Sequence, residues 1–275
     1  MVHNFDYASI PGLQKLNRLT MDCSYFNVDK ALYTLPCLRH ITLGSSHKGF
    51  VGDAEGIVET HVESLEIWVK DSTFAIDWDQ KWDHHHLPGV YKCFPALKHI
   101  CVEVQNIWDL PWTMFFPKAD YFINVVDQLR TFGPSLQTLR IDIPDGFGCE
   151  FLERTQPLSS LCDFTTLRHL GLPQAAIPDV TVPENIPPSL ETLQIYCVTD
   201  FDKVLLLIKQ LVLECTSLPL REVEFHVREE QEYVLEQWQF QWKRSTILAD
   251  ARDKGVKFRF YDQGSDVGIQ WERGD

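Results

Sequence analysis

Apolar and polar residues alternate in short segments that recur along the chain in the pattern Leu-x-x-Leu-x-Leu, with Ile, Val, Met or Phe as variants. Copies begin at Leu16, Leu38, Val62, Leu97, Leu136, Leu167, Leu190 and Leu220, and a degenerate last copy contains Val256, Phe258 and Phe260. Within a copy the later apolar positions alternate with polar ones at period two, which is the pattern of a β-strand with one buried face. Recurrence of one unit predicts a repeat architecture.

The spacing of the copies predicts what lies between the strands. Successive second apolar positions are 22 residues apart at the shortest, from Leu19 to Ile41, and 39 at the longest, from Ile100 to Leu139. These lengths fit a strand followed by a turn or a helical return, and the shorter ones match leucine-rich repeats. Most copies follow a Pro, which fixes φ and cannot extend a helix.

Three of the returns carry apolar residues at helical spacing. The predicted helices are Tyr121–Phe132, Phe201–Cys215 after an Asp200 cap, and a C-terminal helix over 229–254 that Gly255 ends. We therefore predict a single α/β domain over residues 1–275, an irregular leucine-rich-repeat-like solenoid with a curved parallel sheet and helical and loop returns. It contains about nine strand units, the last over 256–261, and long aromatic-rich insertions near 70–96 and 105–135.

Charge and cysteine usage exclude several function classes. The formal net charge is -14, from 39 acidic and 25 basic residues, and no Lys/Arg-rich run interrupts it. Such a surface repels phosphate backbones and anionic membranes, so we expect neither nucleic acid nor membrane as a partner. The 8 cysteines are scattered without a Cys-x-x-Cys pair, and no secretory signal or apolar spanning segment is present. We expect an intracellular chain, cytoplasmic or nuclear, with free thiols.

The repeats resemble the leucine-rich-repeat region of fungal F-box-like proteins. The likeness lies in Leu-Pro-Cys-Leu38-Arg-His-Ile-Thr-Leu, Phe-Pro-Ala-Leu97-Lys-His-Ile, Pro-Ser-Leu136-Gln-Thr-Leu-Arg-Ile, Pro-Pro-Ser-Leu190-Glu-Thr-Leu-Gln-Ile and Lys254-Gly255-Val256-Lys-Phe. The resemblance implies that the repeats recognise a protein substrate, while a separate F-box docks the ubiquitin-ligase adaptor. The first repeat begins near Ile10, so adaptor contact is not expected of this chain alone.

Two sets of residues are candidates for binding a protein partner. The aromatic insertions hold Trp78, Trp82, Trp108 and Trp112, which suit partner anchors because Trp buries much area at little entropic cost. The alternative is that they cap the solenoid or fill gaps beneath long returns.

The second set is the row of polar strand positions. If register holds, one row reads Arg18, His40, Ser64, His99, Thr138, His169, Thr192 and Glu222, and the next reads Thr20, Thr42, Glu66, Cys101, Arg140, Gly171, Gln194 and Glu224. Repeat proteins bind partners through such faces, although a merely solvated sheet surface has the same pattern. Within the rows, Glu66, His99 and Arg140, with nearby Glu103, are the candidate binding residues.

Signals for metal binding or catalysis are weak. His84, His85 and His86 stand among acids, but consecutive residues in regular structure do not converge on one ion. Surface histidines, a metal site and a pH-sensitive contact are the interpretations left open. No known catalytic motif is present, and Ser45, Ser46 and His47, or Cys101 with His99, are only neighbours in sequence.

We predict an interaction scaffold, not an enzyme, with no cofactor, catalytic residue or metal site. The alternatives are a metal-dependent or Cys/His hydrolase, and a structural remnant without a partner.

Overall fold

The structure is a computed structural model, and it describes residues 10–23, 30–45, 60–70, 94–105, 121–142, 155–198, 200–214, 218–227 and 245–262. These residues form one open, curved sheet of parallel strands in chain order. The strands are β1 (Arg18–Cys23), β2 (His40–Ser45), β3 (Ser64–Lys70), β4 (His99–Gln105), β5 (Thr138–Asp142), β6 (His169–Pro173), β7 (Thr192–Val198), β8 (Glu222–Val227) and β9 (Lys257–Asp262).

The pairing confirms the predicted parallel sheet and the predicted rows. Each first polar position lies opposite the first polar position of the next strand, from Arg18 opposite His40 to Thr192 opposite Glu222. β9 continues both rows with Lys257 and Arg259. The fold is an α/β solenoid-like stack in which each strand pairs only with its sequence neighbours.

The leading Leu of a copy closes a tight turn that sets this register. In the β4 unit, the Leu97 N–H donates to the carbonyl of Phe94, and Leu97 is buried. The N–H groups of Lys98 and His99 then both donate to the carbonyl of Glu63 in the preceding unit. The same pattern recurs at Leu38, Leu167 and Leu190, so in these units the apolar turn residue fixes where the strand begins.

One face of the sheet forms the core. Its strand positions are apolar and form one cluster with the buried residues of the returns, and they are buried except at the two end strands, where Leu19 and Phe258 are partly buried and pack against the cluster. The first of these strand positions are Leu19, Ile41, Leu65, Ile100, Leu139, Leu170, Leu193, Val223 and Phe258. Burial of such side chains contributes about 1.5–3 kcal/mol each, so this face holds the stack together.

Two of the predicted helical returns are confirmed. Helix α1 spans Tyr121–Leu129 and ends in a 3-10 turn, Arg130–Phe132. Helix α2 spans Phe201–Ile208 and continues as a π-helical segment, Lys209–Glu214. The carboxylate of Asp200 accepts a hydrogen bond from the Lys203 N–H at 3.1 Å, which confirms the predicted cap. Further 3-10 turns are Leu13–Lys15, Lys30–Thr34, Gln174–Ala176 and Pro183–Asn185.

The C-terminal helix differs from its prediction. Helix α3 spans Thr246–Asp253, and the preceding Ser245 is extended and caps it through a hydrogen bond from the Leu248 N–H. The predicted helix over 229–254 is therefore wrong at Ser245, because a cap residue lies outside the helix that it begins, and its part over 229–244 lies outside the described residues. Gly255 has φ +85°, so the predicted glycine stop is confirmed. None of the described helices is long and apolar enough to cross a membrane.

Candidate protein-interaction surface

The face of the sheet opposite the core carries the polar strand positions, and we call it the polar face. Besides the two predicted rows it has a third, one step further along the strands, of which only Glu103 was among the predicted binding residues. Its members include Trp68, Glu103, Asp142, Pro173, Tyr196, His226 and Tyr261. The signal that could have revealed this row is the same alternation, continued for one more polar position.

Four of the predicted binding residues lie on the polar face. Glu66, His99, Glu103 and Arg140 are all half-buried there. Trp78, Trp82, Trp108 and Trp112 lie outside the described residues, as do His84 to His86 and the loop residues Ser46 and His47. The structure therefore brings the strand candidates to one surface, and the insertion candidates stay predictions.

Arg140 is held between a carboxylate and an aromatic ring. Its guanidinium donates to the Asp142 carboxylate at 2.8 Å, and its Cζ lies 5.3 Å from the centre of the Tyr196 ring. A cation over an aromatic face is attracted to the ring. Asp142 is only 8% exposed, so the ion pair is partly shielded from solvent. The guanidinium is consequently fixed in one orientation.

Tyr196 reaches Arg140 because of two local features. The first is a bulge in β7: Ile195 pairs with Phe225 and Val198 with Val227, so two residues of β7 stand against one of β8. Cys197, within the bulge, has φ +51°. Bulges re-aim side chains in this way.

The second feature is Gly171 in β6. A Cβ added at Gly171 would lie 3.0 Å from the Tyr196 ring and from its hydroxyl. The ring therefore occupies the space that the missing side chain leaves. A glycine in a strand often marks such a close approach.

A chain of hydrogen bonds runs from Tyr196 towards β9. The Tyr196 hydroxyl donates to Gln194 at 2.7 Å, and the Gln194 amide donates to Glu224 at 2.6 Å. Arg259 extends the chain, since its guanidinium lies 2.9 Å from Glu222 and 3.6 Å from Glu224. Networks of this kind fix side-chain positions when they are satisfied.

His226 stands between two tyrosines at the end of this chain. Its ring centre is 4.7 Å from that of Tyr196 and 4.8 Å from that of Tyr261, on which it stacks. Its Nε2 lies 3.8 Å from Glu224, which is too far for a hydrogen bond. The pKa of Glu224 is lowered, first by His226, against the effect of burial, and also by the Gln194 hydrogen bond and by Arg259.

We call Arg140, Asp142, Gln194, Tyr196, Glu224 and His226 the Tyr196 cluster. Within it, Arg140 Nε, Asp142 Oδ1 and His226 Nε2 are buried and have no hydrogen-bond partner among the described residues. Buried polar groups are paired in the great majority of cases, and leaving one unpaired costs about 1–3 kcal/mol. The cluster thus combines a fixed arrangement with hydrogen-bonding capacity that its own side chains do not use.

Cys101 and His99 lie on the same face of β4 but lack the chemistry of a catalytic pair. Burial raises the pKa of Cys101 to about 12, and Glu66, Glu103 and Asp142 add to the effect while Arg140 opposes it. A thiol with this pKa is protonated at neutral pH, whereas the thiolate is the nucleophile. The pairing therefore gives no support to a cysteine hydrolase.

His99 belongs to a row in which imidazoles and hydroxyls alternate across the strands. Its Nδ1 lies 2.9 Å from the Thr138 hydroxyl. Burial lowers the pKa of His99; Glu63 opposes this, while His169 and His40 lower the pKa further. His99 is therefore neutral at pH 7, and it adds a hydrogen-bonding group to the polar face rather than a charge.

No group of His, Cys, Asp and Glu among the described residues is arranged to hold a metal ion. Comparison of the chain with family models, with curated proteins and with solved structures finds no match to any of them. The functional argument therefore depends on the geometry of the polar face.

Proposed function

We propose that this chain is a protein-interaction scaffold that recognises a protein partner with the polar face of its sheet. This is the role that the resemblance to the repeats of fungal F-box-like proteins implies, where such repeats are the substrate-recognition part of a ubiquitin ligase. The observation that carries the proposal is the Tyr196 cluster, a connected set of polar and aromatic side chains with buried polar atoms that no described residue pairs.

The composition of the cluster suits a binding surface. Arg is enriched among residues that dominate protein interfaces, because it combines large contact area with hydrogen bonding, whereas the fully buried Tyr196 lies beneath Arg140 and supports it. The side chain of Arg140 is 37% exposed, so a partner can reach it. Strands hold these groups in place before binding, which reduces the entropy lost on association.

The proposal is tested by blocking the polar face without altering the cluster. Ser64 and Thr192 are half-buried positions of the first row, on β3 and β7. In a Ser64→Trp, Thr192→Trp variant, two indoles would cover the face. A matched control is Asp202→Trp, Asp250→Trp, which adds the same indoles at exposed positions of α2 and α3.

We expect affinity capture from extracts of the source cells to enrich the same protein with the wild type and with the control. The face-blocked variant should not retain it, while its melting temperature stays within a few degrees of the control. If the control loses the protein equally, or if the blocked variant retains it, the polar face is not the recognition surface.

A further inference from the structure

The polar face is basic along the edge where its strands begin. This edge consists of the first row and of the residue that precedes it in each unit, and we call it the basic rim. Its six cations are Arg18, Arg39, Lys98, Arg168, Arg221 and Lys257. Its three carboxylates are Glu63, Glu191 and Glu222. The rim therefore has a formal charge of +3, although the chain as a whole has a net charge of -14.

Every carboxylate of the basic rim already has a cation beside it. The pairs lie 2.9 to 3.6 Å apart, and they are Glu63 with Lys98, Glu191 with Arg168, and Glu222 with Arg259. Four cations of the rim have no carboxylate within 4 Å among the described residues, and these are Arg18, Arg39, Arg221 and Lys257. The uncompensated charge of the rim is therefore positive.

The acidic groups elsewhere on the polar face do not cancel this charge at short range. The second row is neutral, because Glu66 and Glu224 are balanced by Arg140 and Arg259. The third row, which contains Glu103, lies four residues further along each strand than the first row, a distance of about 13 Å. Screening at physiological salt acts over about 8 Å. An anion at the basic rim is therefore subject mainly to the charge of the rim itself.

Alternate units of the rim repeat one pair of residues, a cation followed by a histidine. The three cation–histidine pairs stand at the start of β2, β4 and β6, and they are Arg39-His40, Lys98-His99 and Arg168-His169. Neighbouring strands lie about 4.8 Å apart, so successive pairs are about 9.6 Å apart. An extended peptide rises about 3.3 Å per residue, so three of its residues span nearly the same distance. An extended segment laid across the strands would thus bring every third side chain to a pair.

Each cation–histidine pair offers a charge and a hydrogen-bond donor to a carboxylate. The side chains of Lys98 and Arg168 are 39% and 59% exposed, so a partner can reach them. His99 Nδ1 lies 2.9 Å from the Thr138 hydroxyl. In the tautomer with the proton on Nε2, the hydroxyl donates to Nδ1 and Nε2 can donate to a carboxylate. Hydrogen bonds to an ionised group are stronger than those between neutral groups.

Resting on the proposed function, we infer that the basic rim binds an extended acidic segment of the protein partner, with Asp or Glu at every third position facing the three cation–histidine pairs. The spacing follows from the residues between the pairs as well as from distance. Glu63 stands between the first two pairs and Glu191 follows the third, so a continuous run of acidic residues would place carboxylates against these two glutamates. Acidic residues three apart avoid that repulsion.

The test uses a displayed library of random dodecapeptides selected on the purified wild-type protein. Peptides that no longer bind the Ser64→Trp, Thr192→Trp variant define the set that occupies the polar face. Dissociation constants of these peptides are then measured for two further variants with the same change in net charge. The rim variant removes the cation of each pair: Arg39→Gln, Lys98→Gln, Arg168→Gln. The control variant removes three exposed cations of the helical returns: Lys203→Gln, Lys209→Gln, Arg252→Gln.

We expect the face-binding peptides to carry Asp or Glu three residues apart more often than the unselected library does. The rim variant should weaken their binding about tenfold, the combined effect of three exposed ion pairs, and the control variant should leave it unchanged. Replacing the acidic residues of a peptide by Asn or Gln should weaken its binding to the wild-type protein by a similar factor. This last measurement does not depend on the stability of any variant.

Face-binding peptides without acidic residues at this spacing, or with equal affinities for the rim and control variants, would overturn the inference and leave the proposed function standing. The inference also fails if no selected peptide depends on the polar face. The proposed function is then decided separately, by the capture experiment with the face-blocked variant.

Discussion

The close approach of Tyr196 to Gly171 makes a quantitative prediction about stability. In Gly171→Ala the new methyl carbon would lie 3.0 Å from Tyr196 Cε2, 3.0 Å from its hydroxyl and 3.2 Å from Arg140 Cγ. Carbon atoms in contact prefer about 3.5–4.0 Å. Tyr196 is fully buried, so its ring has little room to move aside. The methyl therefore has to displace the ring or the strand.

The decrease in the free energy of unfolding expected for Gly171→Ala follows from two opposing effects. Overpacking costs about 1–3 kcal/mol, whereas replacing Gly by Ala stabilises by about 0.4–1 kcal/mol through the unfolded chain. The net decrease in the free energy of unfolding is about 1–2 kcal/mol. It is measured by urea unfolding, followed by the fluorescence of the 8 tryptophans.

A double-mutant cycle identifies the ring as the cause. In a Tyr196→Ala background the methyl has space, so Gly171→Ala should be neutral or slightly stabilising there. Gly12→Ala is the control, because a Cβ at Gly12 meets nothing within 4 Å. An equal loss from Gly171→Ala with and without the tyrosine would refute the placement of Tyr196 over Gly171.

Two further predictions concern single side chains. Asp200→Ala removes the acceptor of the Lys203 N–H and should lower the free energy of unfolding by about 1 kcal/mol. Asp202→Ala, at an exposed position of the same helix, should change the free energy of unfolding little. Equal losses in the two variants would show that the cap is not stabilising. Glu224 has a lowered pKa, so it contributes stability that is present above about pH 4.5, the ordinary value, and is lost as the pH falls through the folded-state pKa. Glu224→Gln should therefore flatten the acid decline of stability in urea unfolding below pH 4.5, and an unchanged slope would contradict the assignment.

The rows of the sheet were predictable because one rule places every unit. The apolar turn residue fixes the start of the strand, and the period of two then assigns each side chain to a face. From the sequence alone this placed His99 beside Thr138 and Cys101 beside Arg140, as the pairing confirms. The Asp200 cap and the Gly255 stop were predictable for a similar reason, since each depends on one residue and its immediate neighbours.

The Tyr196 cluster was only partly predictable, because alternation places Tyr196 on the polar face but its contacts depend on a departure from the repeat. The rows of Gln194 and Glu224 follow from alternation, but the bulge after Ile195 has no signature in the pattern. The contact of Tyr196 with Arg140 spans two strands and depends on the absence of a side chain at Gly171. Likewise, Ser245 interrupts a helical apolar pattern that continues on both sides of it. These outcomes are decided by tertiary packing.

Because the strands pair in a one-to-one register, changes in the length of the returns and substitutions in the strands can occur independently in this chain. The distance along the sequence from one strand to the next ranges widely, yet each strand meets its neighbour at the same residue because the turn before it sets the alignment. Segments between strands can thus grow or shrink without sliding any residue of the sheet against the next. Insertions and deletions between strands can therefore change the returns outside the sheet, whereas substitutions at three positions per strand change the polar face.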